Sequence, residues 1–440
     1  MTKKLTIKKV ALDFRKVYEI RDPYIIKFLY AAVRTHLRSS DPVWFIISAP
    51  PSSGKTELVN TLSKIFWMTP EGKREGMTKL STITSHTFLS GMKKTGGEPT
   101  SLLERIRNGI LLFKDFTTMM QENSEEQKVI MAQLREVYDG EIEKTFGTGE
   151  TLKWKGKITV IAAATQKIHT MRQQYANMGE RFLVYSLIMP DRIKAATKSM
   201  ENQEGGNLQE NRSQLQDLML QYHQEFQAPS EKVKINKAFR DDLIEIADLA
   251  TRARTEAERD WRSPTKEIVE IYDAEMPQRF AAQLQALALS LMEINYNETG
   301  NAELLEEDYE LVKKVGFDSI PRTKRRALLE LAKYDVIETS GLAVKIGIPT
   351  NSVRRWLEDV VALGLADREK GSGNKGDRWR LKESVKSVIQ RFEKVESLGI
   401  ELTEDTAEEN LEPIDEALVA EAKEEEVQPQ DLFKNEEGRN

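Results

Sequence analysis

Residues 43–59 read VWFIISAPPSSGKTELV, and this stretch constrains the fold more tightly than any other in the chain. Val43 to Ile47 form a short apolar run of the kind that makes a buried strand. The run breaks at Pro50-Pro51, passes through Ser52-Ser53-Gly54 and enters a helix-forming segment at Lys55-Thr56-Glu57-Leu58. Strand, glycine-bearing loop and helix in this order make a phosphate cradle. Backbone N–H groups of Ser52 to Lys55 can point at phosphate oxygens at a helix N-terminus. Lys55 reaches β- and γ-phosphates, and Thr56 offers a hydroxyl to Mg²⁺. The candidate nucleotide residues are therefore Ala49, Pro50, Pro51, Ser52, Ser53, Gly54, Lys55 and Thr56. Ala49 stands where such loops carry their first glycine, and alanine is tolerated there if its φ is negative.

Composition bounds the rest. A chain of 440 residues holds two or three domains. No apolar run approaches the roughly 18 residues of a membrane span, and no apolar core follows the basic start MTKKLTIKK. Cysteine is absent, which excludes disulfides and thiolate metal sites. The four histidines, His36, His86, His169 and His223, are scattered and predict no metal cluster. A cytoplasmic protein is expected. Residues 401–440 hold 15 Asp and Glu against 3 Lys and Arg, a net −12 in a chain of net −6. Residues 1–400 therefore carry +6, so the acidity of the whole does not argue against a nucleic-acid partner.

Periodicity predicts an arm over 1–25, a helix from Pro23 to Leu37, and an α/β core over 26–195. Its strands are expected at Val43–Ser48, Ile110–Phe113, Ile158–Ala163 and Leu183–Ile188. A polar linker with a helix near Leu215–Phe226 and a helical lid follow, to residue 316. A C-terminal domain over 317–398 and a disordered acidic tail over 399–440 complete the order.

A second nucleotide motif should be an apolar strand ending in an acid that holds Mg²⁺. Residues 109–116, GILLFKDF, supply the strand and one carboxylate. Two registers stay open: Asp115 is the Mg²⁺-side acid, or Lys114 occupies that place and Asp115 orients water. Residues 141–157, EIEKTFGTGETLKWKGK, alternate about Gly147-Thr148-Gly149 and predict a β-hairpin. Lys144, Lys153, Lys155 and Lys157 surround Trp154, so the hairpin can contact phosphates and stack a base. The plainer reading is an exposed hairpin kept soluble by lysines. The next strand ends at Thr165, a polar group within reach of a γ-phosphate, and Arg181 precedes another apolar strand.

In this order the P-loop, GILLFKDF, the basic hairpin, ITVIAAAT and GERFLVYSL resemble the ATPase core of ring-forming AAA+ DNA helicases. The resemblance is closest to the minichromosome-maintenance helicases and related replication ATPases of phages and mobile elements. That family's pattern is a strand ending Asp-Glu-Phe, a hairpin, an Ala-Ala-X-Asn strand and Ser-Arg-Phe-Asp. The resemblance covers residues 25–315 and implies ATP and Mg²⁺ as cofactors, DNA in a central channel and a homo-hexameric ring. It implies that Lys55 and Thr56 are the Walker A pair, Asp115 the Walker B acid and Thr165 sensor 1. Lys144, Lys153, Trp154 and Lys155 would track DNA. Arg181 would be an arginine finger acting in a neighbouring subunit, and Arg279, with Arg252 and Arg254 as competitors, the sensor-2 arginine. Lys114 and Thr165 depart from the family's Asp and Asn, and its large N-terminal domain has no counterpart.

Residues 322–333, RTKRRALLELAK, predict a basic amphipathic helix, and residues 339–363 a helix, a turn and a second helix. Two short strands flanking GSGNKG complete a winged helix-turn-helix. Asn351, Ser352, Arg354 and Arg355 would face a DNA groove, with Lys370, Lys375, Arg378 and Arg380 on or beside the wing. The tail segment Gln428–Phe433 imperfectly resembles sliding-clamp-binding peptides. The expected function is an ATP-dependent ring-forming DNA motor, a replicative helicase. The alternative is a DNA-assembled ATP switch that hydrolyses slowly.

Overall fold

The computed structural model describes residues 4–90, 101–119, 124–147, 149, 151–168, 181–231, 233–255, 257–260, 262–263, 266–371 and 376–391. All of these belong to one compact unit, Met1–Gly399. The acidic tail and its clamp-like segment lie outside the described residues, as does Lys375.

The centre is a six-stranded, mostly parallel sheet in a mixed α/β fold. Its strands are β1 (Trp44–Ser48), β2 (Phe66–Met68), β3 (Arg74–Leu80), β4 (Gly109–Phe113), β7 (Ile158–Ala164) and β8 (Phe182–Ser186), in the order β2-β3-β4-β7-β1-β8. Only β2 runs antiparallel to its neighbour. Every residue of β1, β4 and β7 is buried, as befits strands covered on both faces. Strand alternation then divides the core in two. Phe45, Ile47, Leu112, Ile161, Leu183 and Tyr185 enter one cluster, and Trp44, Ile46, Leu111, Val160, Phe182 and Val184 the other.

Helix α1 (Ile7–Val17) and helix α2 (Ile25–Leu37) cover the first face. Phe28 of α2 stacks on Tyr185 at 4.4 Å and meets Phe45 edge-on at 5.5 Å. Residues 1–25 are thus no mere arm, since Val10 and Phe14 are fully buried. On the second face lies helix α6 (Ser124–Asp139), following the short helices α3 (Lys55–Asn60), α4 (Leu102–Ile106) and α5 (Phe116–Met119). Beside it is the expected hairpin, β5 (Glu141–Thr145) with β6 (Thr151–Lys155).

Beyond β8 the polar linker is two helices, Arg192–Glu204 and Leu208–Gln224, the second burying Leu215, Met219 and Tyr222. The segment that follows holds helices Lys237–Arg254, Gln278–Thr299 and Glu306–Asp318, the last running across the boundary expected at 316. Between the first two of these lies a hairpin the periodicity does not predict, β9 (Ala257–Arg259) with β10 (Ile268–Ile271). The last segment holds helices Arg322–Ala332, Thr339–Ile346, Thr350–Ala362 and Glu383–Gln390. Its three-stranded sheet orders β11 (Ile337–Glu338), β13 (Arg378–Leu381) and β12 (Ala366–Glu369). The first core cluster continues into this segment through Leu328, Leu357, Trp379 and Ile389. Arg259 ties the two parts, donating to Glu358 at 3.0 Å, Asp359 at 2.6 Å and the Arg355 carbonyl at 2.8 Å.

Candidate nucleotide site

The loop after β1 leaves the carboxyl end of the sheet where β1 lies between β7 and β8, a topological switch point. Ala49 is buried, and its N–H donates to the Ala164 carbonyl at 3.1 Å, which fixes the loop to the end of β7. Ala49 is not among the residues with positive φ, so the missing glycine costs nothing in backbone strain. The turn falls later. Ser52 has φ 59° and Gly54 φ 80°, so Ser52 carries the left-handed strain a side chain resists. Pro50, Pro51 and Ser53 complete the loop, and α3 begins at Lys55.

Lys55 is buried and its Nζ donates to the Pro50 carbonyl at 3.1 Å. Burial lowers its pKa, and the charge of Asp115 opposes that shift. Thr56 Oγ1 donates to the Lys114 carbonyl at 3.2 Å, joining α3 to the end of β4. Asp115 Oδ1 accepts the Thr117 N–H at 3.0 Å, at the start of α5. Thr117 Oγ1 accepts the Thr165 N–H at 2.7 Å and lies 3.2 Å from Thr165 Oγ1. Lys55, Thr56, Asp115 and Thr165 are thus gathered where β1, β4 and β7 end. Thr117 is the residue sequence reasoning missed. A hydroxyl two positions after the candidate acid was its only signal.

A cavity of 390 Å³ opens beside the loop, within the range of small-molecule sites. Its lining includes Ser52 to Thr56 of the loop, Tyr18 and Ile20, Leu187 and Ile188, and Ala195, Asn202 and Arg212. Arg212 pairs with Glu57 at 2.6 and 2.9 Å, and Tyr18 Oη donates to Glu57 at 3.3 Å. Burial, then the Glu57 charge, push the Tyr18 hydroxyl up to about 12, so it stays a donor. Asn202 donates to the Val17 carbonyl at 2.8 Å.

Arg181 and Arg279 lie elsewhere. Arg181 precedes β8, and Phe182 pairs with Trp44 at the amino end of the sheet. The strand rise of ~3.3 Å per residue puts its backbone roughly 20 Å from this chain's own loop. Arg181 donates to Asp139 at 3.2 Å, and Arg279 to Glu275 at 2.9 Å. Arg252 pairs with Asp248, and Arg254 with Glu275 at 2.5 Å.

The hairpin corrects one expectation. Trp154 is 5 % exposed, pairs with Ile142 across the strands and donates its indole N–H to the Arg107 carbonyl at 2.8 Å. A ring so enclosed is core, and no base can stack on it. Lys153 bonds Glu143 at 2.8 Å and Lys155 lies opposite Glu141, so the outer face is charge-balanced. Lys144 donates to the Ser85 carbonyl at 3.3 Å, and Lys157 to those of Thr35 and Arg38.

In the last segment Asn351 and Arg354 are exposed at the head of helix Thr350–Ala362, with Ser352 and Arg355 half-buried. Arg354 bonds Glu358 at 3.0 Å, and Arg355 bonds the Asn351 carbonyl. Lys370, Arg378 and Arg380 are exposed on the β12–β13 ribbon, Arg378 lying 3.6 Å from Glu369. Among the described residues no His, Asp and Glu cluster could hold a metal by itself, and no helix is long and apolar enough to cross a membrane. No protein-family model matches the chain, and no curated protein matches it in sequence.

Proposed function

We propose that the chain is an ATP-dependent AAA+ DNA motor working as a ring, with a C-terminal winged helix. The observation that carries this reading is the cavity continuous with Ser52–Thr56. It gives walls to a nucleoside where the loop gives N–H groups to its phosphates. Lys55 would pair with the terminal phosphates. Thr56 and Asp115 suit Mg²⁺, which takes one or two protein oxygens and fills its other positions with phosphate and water. The ion would neutralise phosphate charge. Arg181, at the far end of β8, would serve a nucleotide held by another copy, as a head-to-tail ring would allow.

DNA is the partner that the exposed basic side chains fit. Helix, turn at Gly347, helix and two-stranded ribbon follow the order of a winged helix-turn-helix, with Asn351, Arg354, Lys370, Arg378 and Arg380 outward. The hairpin's Lys153 and Lys155 would reach DNA only by exchanging glutamate for phosphate.

The test joins three measurements on the full chain: ATP-dependent oligomerisation, hydrolysis with and without DNA, and strand displacement on a fork. The expected result is oligomers with ATP and DNA-stimulated hydrolysis. Lys55→Ala should abolish ATP binding, and Arg181→Ala should abolish hydrolysis alone. Neither oligomers nor stimulation would refute the proposal. A second reading, an ATP switch that assembles on DNA without unwinding it, is favoured by the single carboxylate of Lys114-Asp115 closing β4. Robust unwinding abolished by both substitutions refutes that second reading.

A further inference from the structure

Helix Arg192–Glu204 is 13 residues long and buries none of them. Its large apolar side chains point outward, Ile193 being 77 % exposed and Met200 61 %. Ala195, Lys198, Ser199, Asn202 and Gln203 all line the cavity beside Ser52–Thr56. Their spacing of i, i+3, i+4, i+7 and i+8 is that of one helical stripe. A surface helix ordinarily turns apolar residues along such a stripe into a core. This one turns a cation, a hydroxyl and two carboxamides toward a cavity. Polar bonds hold it there in place of packing. Asp191 caps its first turn, accepting the Ile193 and Lys194 N–H groups at 3.0 Å, and is itself held by Arg21 at 3.0 Å. Lys198 donates to the Arg15 carbonyl and Asn202 to that of Val17. Asn202 also accepts from Asn211 at 3.4 Å, one residue before the Arg212 that pairs with Glu57. Among the described residues, the Ser199 hydroxyl and the Gln203 carboxamide have no such bond.

We propose that this polar face holds the nucleoside half of the nucleotide, Ser199 and Gln203 hydrogen-bonding its ribose hydroxyls and base edge. The inference rests on the reading of residues 49–56 as an ATP site and names the groups that read what lies beyond the phosphates. From Ala195 to Gln203 the stripe runs about 12 Å at 1.5 Å per residue, enough to follow a ribose and its base. A carboxamide offers a donor and an acceptor side by side. Adenine presents the matching pair at N6 and N7, whereas guanine presents two acceptors there. Ligand bonds would also steady the helix. A segment of this length is marginal without packing, and one that buries nothing opens at little cost. A ligand that bridges it to the loop raises that cost.

The test compares two probes on the full chain by isothermal titration calorimetry: ATP and inorganic tripolyphosphate, each with Mg²⁺. Ser199→Ala combined with Gln203→Ala is expected to weaken ATP binding roughly 10- to 100-fold, the loss of two hydrogen bonds. Tripolyphosphate, which has no nucleoside, should stay within about twofold of wild type. Alanine is the best helix former, so the double variant keeps its helix. Lys55→Ala should weaken both ligands. Amide hydrogen exchange gives a second readout: residues 192–204 should exchange more slowly with ATP bound and not with tripolyphosphate. The inference alone fails if wild type binds ATP and the double variant binds it within about twofold as well. It also fails if ATP leaves exchange in this helix unchanged. Equal losses of ATP and tripolyphosphate would make the face a prop for the loop and overturn the proposal. If wild type binds neither ligand, the reading of residues 49–56 fails and the inference falls with it.

Discussion

Arg259→Ala should destabilise the protein by about 3–5 kcal/mol at pH 7, the usual cost of removing one partner from a buried ion pair. The Arg259 side chain is 4 % exposed and that of Asp359 9 %. One guanidinium satisfies Glu358, Asp359 and the carbonyls of Lys266 and Arg355 at 2.6 to 3.0 Å. Alanine leaves the Asp359 carboxylate buried with the charge of Lys324 as its remaining support. Burial already raises the Asp359 pKa, with Lys324 and Arg259 opposing, and the substitution removes one of the opposing charges. A carboxylate whose folded pKa is raised loses stability as pH rises from its unfolded value, about 3.9, through the folded one. The deficit of Arg259→Ala relative to wild type should therefore shrink toward about 1–2 kcal/mol as pH falls to 4, leaving the unmade hydrogen bonds. Urea unfolding of both full chains, followed by tryptophan fluorescence across pH 4–8, measures it. Replacing the pair together, Arg259→Met with Asp359→Leu, should recover most of the loss. A deficit below about 1 kcal/mol at pH 7, or one that does not change with pH, would refute the reasoning.

Two further outcomes follow from groups buried away from the site. His36 is held 3.1 Å from Thr159 Oγ1, and burial, then Lys157, push its pKa down to about 3. The unfolded chain takes up that proton near pH 6.5, so stability is whole above pH 6.5 and falls as pH drops toward 3. The loss is about 2.7 kcal/mol by pH 4.5, and His36→Asn should flatten that acid limb in pH-dependent denaturation. Trp154→Ala should cost about 3–5 kcal/mol in stability, as for a buried aromatic, and leave the DNA affinity of the folded protein unchanged in a fluorescence anisotropy titration. A selective loss of affinity with normal stability would return the ring to the surface.

The parts that were legible in the sequence are those whose burial is local and periodic. The apolar runs of β1, β4, β7 and β8 sit between clear breakers, and each appears within two residues of its expected ends. Strands β2 and β3 were not legible, since Arg74–Leu80 mixes Arg, Glu, Thr and Lys along a partly exposed strand near the sheet edge. The lysines around Trp154 suggest a ring that faces a ligand. Its cross-strand partner Ile142 points the other way, because residues facing each other across a hairpin share one side of it. At the site, loop and acid could be read. The cavity walls could not, because Tyr18, Ile20, Asn202 and Arg212 lie far from the loop in sequence, in segments too polar to announce a packed role.

Strand β8 has one further consequence. It begins just after Arg181, and just past its end Leu187 and Ile188 line the cavity. Its outer edge does not end in water. Ser319 Oγ accepts the Val184 N–H at 3.0 Å, and Asp318 accepts the Ser186 N–H at 2.8 Å. Asp318 ends the helix Glu306–Asp318 and Ser319 caps it, two residues ahead of the helix Arg322–Ala332 that opens the last segment. The strand therefore works as a crossbeam bolted at its side to the base of a second arm. The same two bonds fasten the strand that runs toward the cavity to the root of the C-terminal segment. The two side-chain bonds also occupy the Val184 and Ser186 N–H groups, which would otherwise invite another strand to the sheet edge.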